Sequence, residues 1–344
     1  MKQAFQLLGI VVVVLLGIAS FVRWERPPIQ TTQLGPDGLA MEDVQNPRRL
    51  ARLAALNAPP APIDPVTPAG TKASQTYQNV KVLGDLDTEQ FNRLMTAITE
   101  WVAPREGDNA GCNYCHNPEN LADDSVYTKV VARRMIEMTR HINSAWQNHV
   151  QQTGVTCYTC HRGNPVPQNI WFSSTGLRQA GGMAASRQGQ NLATKAVGST
   201  SLPYDPFTDL FAKGANIRVV PQTALPAGFT PNIKDTEKTY GLMMHLSQSL
   251  GVNCTFCHNS RSFTGWAESR PQRVTAWHGI KMVSDLNAAY LEPLRGVFPP
   301  HRLGAMGDVA KIGCGTCHQG VNKPLLGVSM VKDYPELSTP NPNP

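Results

Sequence analysis

Cys157-Tyr158-Thr159-Cys160-His161, inside GVTCYTCHRG (154–163), is one of four Cys-X-X-Cys-His pentapeptides in the chain. The others are Cys112/Cys115/His116, Cys254/Cys257/His258 and Cys314/Cys317/His318, and together they use all eight cysteines. Two thiols one helical turn apart suit addition across the two vinyl groups of a haem, and the histidine that follows then swings under the iron as proximal ligand. Paired Cys-X-X-Cys knuckles also bind zinc or oxidise to disulfides. Neither use asks for a histidine directly after the second cysteine every time. Four covalently bound c-type haems are expected.

That count changes how the composition is read. The chain has 344 residues, yet aromatic content is only 7%, with 27 prolines and 28 glycines. Large apolar haem discs are expected to supply core that the side chains do not, so the polypeptide wraps its cofactors. The formal charge of +6 is offset by the two propionates each haem brings, which leaves the holoprotein near neutral or mildly acidic. Between residues 81 and 128 nine acidic side chains (Asp85, Asp87, Glu89, Glu100, Glu106, Asp108, Glu119, Asp123, Asp124) outnumber Lys81, Arg93 and Arg105. This acidic stretch surrounds the first motif and is expected to steer a cationic electron donor. Nothing in the sequence points to nucleic acid.

Around the motifs the expected order is an N-terminal membrane anchor (1–26), a Pro-rich arm (27–80), haem-pair module 1 (81–165, haems 1 and 2), a connecting segment (166–225), haem-pair module 2 (226–325, haems 3 and 4) and a C-terminal tail (326–344). Leu7–Val22 is nearly all apolar, and with Ala4 and Phe5 the run reaches about 19 residues, close to the roughly 20 of a bilayer span. It is long for a signal h-region and lacks a clear small-X-small cleavage site. An uncleaved single-pass anchor is expected, with Lys2 cytoplasmic and the bulk of the chain exported. The arm from Pro27 to Pro68 holds nine prolines and reads as extended, built to lie along another protein, with one short helix at Pro47–Leu56 capped by Asn46. Ser173–Ser201 reads as a loop and Ile217–Val220 as the best strand candidate.

The two modules share the order helix, motif, long helix, motif. Leu94-Met95 before CNYCHN matches Leu242-Met243 before CTFCHN, and Ile136-Glu137-Met138 matches Ile280-Lys281-Met282 at an offset of 144, as in an internal duplication. The fold class is therefore mainly α: a multihaem cytochrome c with two pseudo-symmetric haem-pair modules, few short strands and one N-terminal transmembrane helix.

Four proximal histidines leave four distal positions. Outside the motifs the chain offers His141, His149, His245, His278 and His301, and eleven methionines. Met95 lies on a first helix from Asp87 or Thr88 to before Pro104. Met243 lies on a third, from about Asp235 to Leu250, with Met244 and His245 as competitors. A second helix, about Ser125–Gln152, carries Met135 and His149 on one face, about 21 Å apart at 1.5 Å per residue. Met135's counterpart in the second module is Gly279, so the fourth haem has no local methionine. His149 from the first module is the expected substitute, with Met306, His278 and His301 as alternatives. Three Met/His haems and one bis-His haem leave no iron position open, which argues against a reductase or oxygen-activating enzyme.

The chain resembles the tetrahaem cytochrome subunits of purple-bacterial photosynthetic reaction centres. The matching stretches are VLGDL (82–86), FNRLM (91–95), VVARRMIEMTR (130–140), GVTCYTCHRG (154–163), YDPFT (204–208), IRVVPQTALP (217–226), NCTFCHN (253–259), TCHQGVNKPL (316–325) and KDYPEL (332–337). The resemblance implies the distal ligands Met95, Met135, His149 and Met243. It implies a subunit on the periplasmic face of the membrane, seated on the L, M and H core and near the light-harvesting antenna. Such a subunit re-reduces the bacteriochlorophyll special pair with electrons from a small soluble cytochrome c or a high-potential iron–sulfur protein. It also implies a haem order outward from the pair of Cys254/Cys257, Cys314/Cys317, Cys157/Cys160 and Cys112/Cys115. Many members carry a lipid-modified N-terminal cysteine; here no cysteine precedes Cys112. The rival function is a membrane-anchored tetrahaem cytochrome that takes electrons from quinol for respiration.

Overall fold

The chain is seen in a computed structural model that describes residues 2–23, 30–36, 41–173, 197, 202, 205–221 and 230–340. Helix α1 (Lys2–Arg23) is the apolar N-terminal segment. Its Phe5–Val22 stretch is exposed along its whole length and long enough to cross a bilayer. A surface of this kind has no place in water, and a lipid environment satisfies it because all its backbone bonds are internal to the helix.

The arm that follows is less open than its proline content suggests. Strands β1 (Gln30–Gln33) and β2 (Glu42–Gln45) pair antiparallel, with Gln30 opposite Gln45. Then comes α2 (Pro47–Leu56), whose Asn46 side chain accepts from Arg48 N at 3.0 Å with Pro47 in the first turn. The arm is fastened along its own chain. Val44 N–H donates to Asn253 Oδ1 at 3.2 Å, and Thr255 Oγ1–H donates to Glu42 O at 3.1 Å. Further on, Arg93 Nη2 donates to Ile63 O at 2.7 Å, and Asp87 accepts from Ala69 N and Gly70 N. The hairpin, which begins seven residues after α1 ends, is thus bonded to the segment around the third motif.

The first module follows a single-turn α3 (Ala73–Thr76). It consists of α4 (Thr88–Val102), the first motif on a 3-10 turn at Gly111–Tyr114, α5 (Tyr127–Ala145), α6 (Gln147–Val150) and α7 (Cys157–His161). The second consists of α8 (Ile233–Leu250), a 3-10 turn at Cys254–Phe256, α9 (Pro271–Leu286) and α10 (Cys314–His318). Sequence boundaries hold within about two residues for α4 and α8. Asp87 caps the first, and Gly251, at φ +67, ends the second where any Cβ would overlap the Gly320 carbonyl.

Two expectations change, and a third falls outside what is described. Ile217–Val220 is no strand; it runs irregularly along the wall of the third site, with no neighbouring strand to pair with among the described residues. The long second helix breaks at Trp146 (φ −110, ψ 31), so Met135 and His149 stand on separate helices. Most of the Ser173–Ser201 loop lies outside the described residues.

Two apolar cores hold the motifs. Leu83, Leu86, Leu94, Trp101 and Ile136 pack with Met330, Tyr334 and Leu337, so residues 330–337 return to the first module. The other core joins Leu242, Ile280, Val283 and Leu286 of the second module to Met138 and Ile142 of α5.

Burial of these side chains is worth about 1.5–3 kcal/mol each. The polar backbone of the returning segment is also satisfied: the fully buried Arg140 donates to Glu336 O at 3.0 Å, and Asn143 donates to Leu337 O at 2.8 Å. Two pairs of counterpart residues touch: His141 with Asp285 at 2.8 Å, and Cys160 Sγ with Cys317 Sγ at 2.7 Å. A residue in contact with its own counterpart lies near the axis relating two similar halves. That axis passes between the second and fourth motifs.

Candidate haem sites

The four motifs fall into two geometries. The first and third lie on 3-10 turns, the second and fourth on single α-turns. In the latter pair a threonine hydroxyl closes the turn: Thr159 accepts from Thr156 N and Thr316 from Gly313 N, both at 3.0 Å. The residue after each histidine, Arg162 or Gln319, is left-handed (φ 52 and 48).

The imidazoles repeat the pairing. His116 Nδ1 meets Leu121 O at 3.0 Å and His258 Nδ1 meets Phe263 O at 2.8 Å, each five residues on. His161 Nδ1 meets Asn164 O at 2.9 Å and His318 Nδ1 meets Val321 O at 3.0 Å, each three residues on. A carbonyl only accepts, so Nδ1 carries the proton in all four rings and Nε2 presents its lone pair. This is the arrangement of a metal-binding histidine with its tautomer fixed by an outer partner. Burial keeps His161 and His258 neutral by lowering their pKa values, and takes His318 down to about 4, with His149 beside it adding to the effect. Neutral imidazole is the form that ligates.

A fifth ring matches them. His149 Nδ1 meets Thr275 O at 2.9 Å, leaving Nε2 free, and its ring centroid is 6.0 Å from that of His318. Two imidazole nitrogens each about 2 Å from a shared metal hold their ring centroids about 6 Å apart. The ring fills the space over Gly279, where a Cβ would fall 2.5 Å from His149 Cε1. By contrast, His141 commits Nε2 to Asp285, and His245 sets Nε2 3.3 Å from Ser249 Oγ while packing its ring on Phe207. Met306 is exposed.

At the third site Met243, Met244, Cys254, Cys257 and His258 line a mostly apolar cavity of about 450 Å³, within the roughly 300–1,000 Å³ of cofactor pockets. Met95 and Met135 are half-buried on α4 and α5, each at the edge of a core. Thr139, one turn beyond Met135, reaches the Cys157 thiol. Burial pushes the thiols of Cys115, Cys157 and Cys257 up to about 11 and that of Cys314 to about 12. These are neutral thiols, unlike the activated thiolates of cysteine enzymes. Among the described residues no three His, Cys, Asp or Glu side chains converge on a metal-sized site, as a zinc knuckle requires.

One buried group asks for an anion. Arg162 donates through Nη2 to Asn57 Oδ1 and Cys317 O, while its Nε and Nη1 are buried without a partner among the described residues. A haem propionate beside the second or fourth motif would satisfy them, since an unpaired buried donor costs about 1–3 kcal/mol.

The chain matches the family described as photosynthetic reaction centre cytochrome C subunit over residues 25–338. It belongs to that family. It is 54% identical over 314 residues to the photosynthetic reaction center cytochrome c subunit of Rubrivivax gelatinosus, covering 91% of this chain and 84% of that one. The same subunit of Thermochromatium tepidum is 46% identical, covering 96% and 81%; that of Roseobacter denitrificans is 41% identical, covering 97% and 92%. Members carry covalently bound c-type haem, and this chain has four places for it. The comparisons lend no support to quinol respiration.

Sequence reasoning missed two things: the carbonyls that fix the imidazoles, and Arg162. Backbone acceptors leave no residue signature. The equal intervals of five and three residues within each pair were the only available signal.

The acidic stretch divides on inspection. Asp124 is held by Arg133, Lys81 and Lys129 at 2.9–3.2 Å, Asp85 by Arg140, and Asp123 closes a turn through Ser125 and Asn117. Glu100, Glu106, Asp108 and Glu119 are exposed near the first motif. Arg133, then Lys81 and Lys129, keep the Asp124 carboxyl well below the usual carboxylate range. Its contribution is therefore complete above the unfolded carboxylate pKa of about 3.9 and fades as acid protonates the folded form. An Asp124→Asn variant is expected to lose stability at pH 7 and to show a shallower acid decline than wild type in melting curves recorded from pH 7 to pH 2. Equal slopes for the two proteins would contradict that pairing.

Proposed function

We propose that this chain is the periplasmic electron-transfer subunit that re-reduces the photo-oxidised bacteriochlorophyll special pair of the reaction-centre core. Haem 1 is held by Cys112, Cys115 and His116 with Met95; haem 2 by Cys157, Cys160 and His161 with Met135. Haem 3 is held by Cys254, Cys257 and His258 with Met243; haem 4 by Cys314, Cys317 and His318 with His149. Each haem, when bound, accepts and passes on one electron. Thioether ligands at three sites favour the reduced iron, and the second imidazole at the fourth favours the oxidised one. With every axial position filled by a side chain, the protein is a carrier and not an enzyme.

The observation that carries this reading is the row of five imidazoles with Nδ1 on a carbonyl and Nε2 free, one of them brought from the first module to face His318. The orientation on the membrane is supported by the hairpin, which follows α1 by seven residues in the sequence and is bonded to Asn253 and Thr255, so that a short link places the third site toward the bilayer. Haem 3 is then nearest the special pair, followed by haems 4, 2 and 1. The H subunit and the antenna complete the assembly.

Purified with its core, the protein is expected to show c-type haem oxidation within microseconds of a flash, and absence of that signal would overturn the reading. Electrons enter beside haem 1 from a small cationic cytochrome c or an iron–sulfur protein. Reversing Glu106 and Asp108 to lysine is expected to slow donor re-reduction about tenfold or more at low salt, with the difference shrinking as salt screens the field. Stopped-flow rates indifferent to both changes would remove this surface from the entry site.

A further inference from the structure

Helix α6 has only four residues, yet it carries the His149 imidazole to its place over Gly279. A helix of one turn does not hold its own geometry, because nucleation costs more than a single bond returns. Something outside it must set the direction the chain takes after the break at Trp146. One carboxylate meets the break itself and the last turns of the helix before it. Asp285 Oδ2 receives Trp146 Nε1–H at 2.9 Å and faces His141 Nε2 at 2.8 Å. Asp285 lies near the C-terminal end of α9, the helix whose Thr275 carbonyl fixes His149 Nδ1 and whose Gly279 leaves room for the ring. Asp285 and Thr275 are ten residues apart, about 15 Å along the axis. The segment 141–149 is thus fastened to one face of α9 at both ends.

The duplication explains why only one copy of this arrangement exists. At the offset of 144, His141, Trp146 and His149 correspond to Asp285, Tyr290 and Pro293. His141 and Asp285 are counterparts placed against each other, a donor in one half and an acceptor in the other. Tyr290 packs its ring, tilted, against His141 with centroids 5.2 Å apart and carries no imidazole. Pro293 has nothing with which to ligate. The second module has exchanged its methionine for Gly279 and its donor for Asp285, and the first module supplies what the fourth site lacks.

We propose that Asp285 is a positioning residue for the sixth ligand of the fourth haem, holding the break at Trp146 so that His149 faces His318. This rests on the assignment of His149 as that ligand. The test uses the full haem-loaded protein, with the His/His low-spin signal read by electron paramagnetic resonance and the potential of that haem followed by redox titration.

Asp285→Ala is expected to lose at least half of the His/His signal while the three Met/His signals stay as in wild type. Trp146→Phe, which removes one N–H and keeps the ring, is expected to lose less. Asp285→Asn keeps an oxygen for Trp146 and is expected to restore the signal. A wild-type His/His signal in Asp285→Ala, with that signal absent in His149→Ala, overturns the positioning role and leaves the ligand assignment intact. A signal that survives His149→Ala overturns both. Equal losses at all four haems in Asp285→Ala, with Trp146→Phe unchanged, mark a general packing role and overturn the inference.

Discussion

Replacing Gly279 by methionine is expected to convert the fourth haem from His/His to Met/His ligation and raise its potential. The position lies on α9 where Met135 lies on α5, so the new thioether starts from the backbone site that serves the second haem. It also takes the space of the resident ring: an added Cβ alone falls 2.5 Å from His149 Cε1 and 2.8 Å from Nδ1. Axial ligands span about 0.8 V in haem proteins, which makes a rise on the order of 0.1 V a reasonable expectation for this exchange.

Gly279→Ala separates displacement from substitution. Helix propensity alone favours alanine by about 1 kcal/mol, so the helix itself should not suffer. The alanine expels the imidazole and supplies no ligand, and the fourth haem is expected to turn high-spin and bind carbon monoxide. An unchanged His/His spectrum in both variants would remove His149 from the fourth site.

Tyr334→Ala is expected to be the most damaging single change to stability outside the motifs. Tyr334 is 1% exposed. Its ring meets Trp101 edge-on at 4.7 Å, Arg93 stacks on it at 4.3 Å, and its hydroxyl accepts from Ile63 N at 3.0 Å. Truncation of a buried aromatic costs about 3–5 kcal/mol. It also loosens the Pro-rich arm at Ile63 and leaves the Arg93 guanidinium without its stacking partner. Tyr334→Phe keeps the ring and should cost about 1 kcal/mol, the net worth of one hydrogen bond. Calorimetry should show the melting point of the alanine variant lowered by several degrees or more. The His/His signal of the fourth haem should be intact at low temperature, because residues 330–337 pack in the other core. A melting point within a degree of wild type would show that this C-terminal segment does not hold the first module.

The parts of the site that could be read from the chain were those whose chemistry closes within a few residues. Each Cys-X-X-Cys-His is complete in one turn, and the caps at Asn46 and Asp87 act on amides two residues away. The stop of α8 at Gly251 was legible from its left-handed glycine, although the Gly320 carbonyl beside it also excludes a Cβ. The duplication made Gly279 stand out as a missing methionine before any contact was known. The sequence misled where a local pattern was continued too far. The apolar spacing through Trp146 reads as one long helix, and its break is held by Asp285, 139 residues away. Charge counting around the first motif overstated the free acidity, since Asp124 draws in Arg133, Lys81 and Lys129.

The amino-acid order alone showed four Cys-X-X-Cys-His motifs, their arrangement in two similar halves, and a glycine at 279 where the first half has Met135. Only the folded chain decided that the His149 ring stands opposite His318, that the arm fastens near the third motif, and that residues 330–337 pack in the first module. The first set depends on atoms joined through a handful of bonds, while the second depends on which distant surfaces exclude water together, and no local pattern encodes that choice.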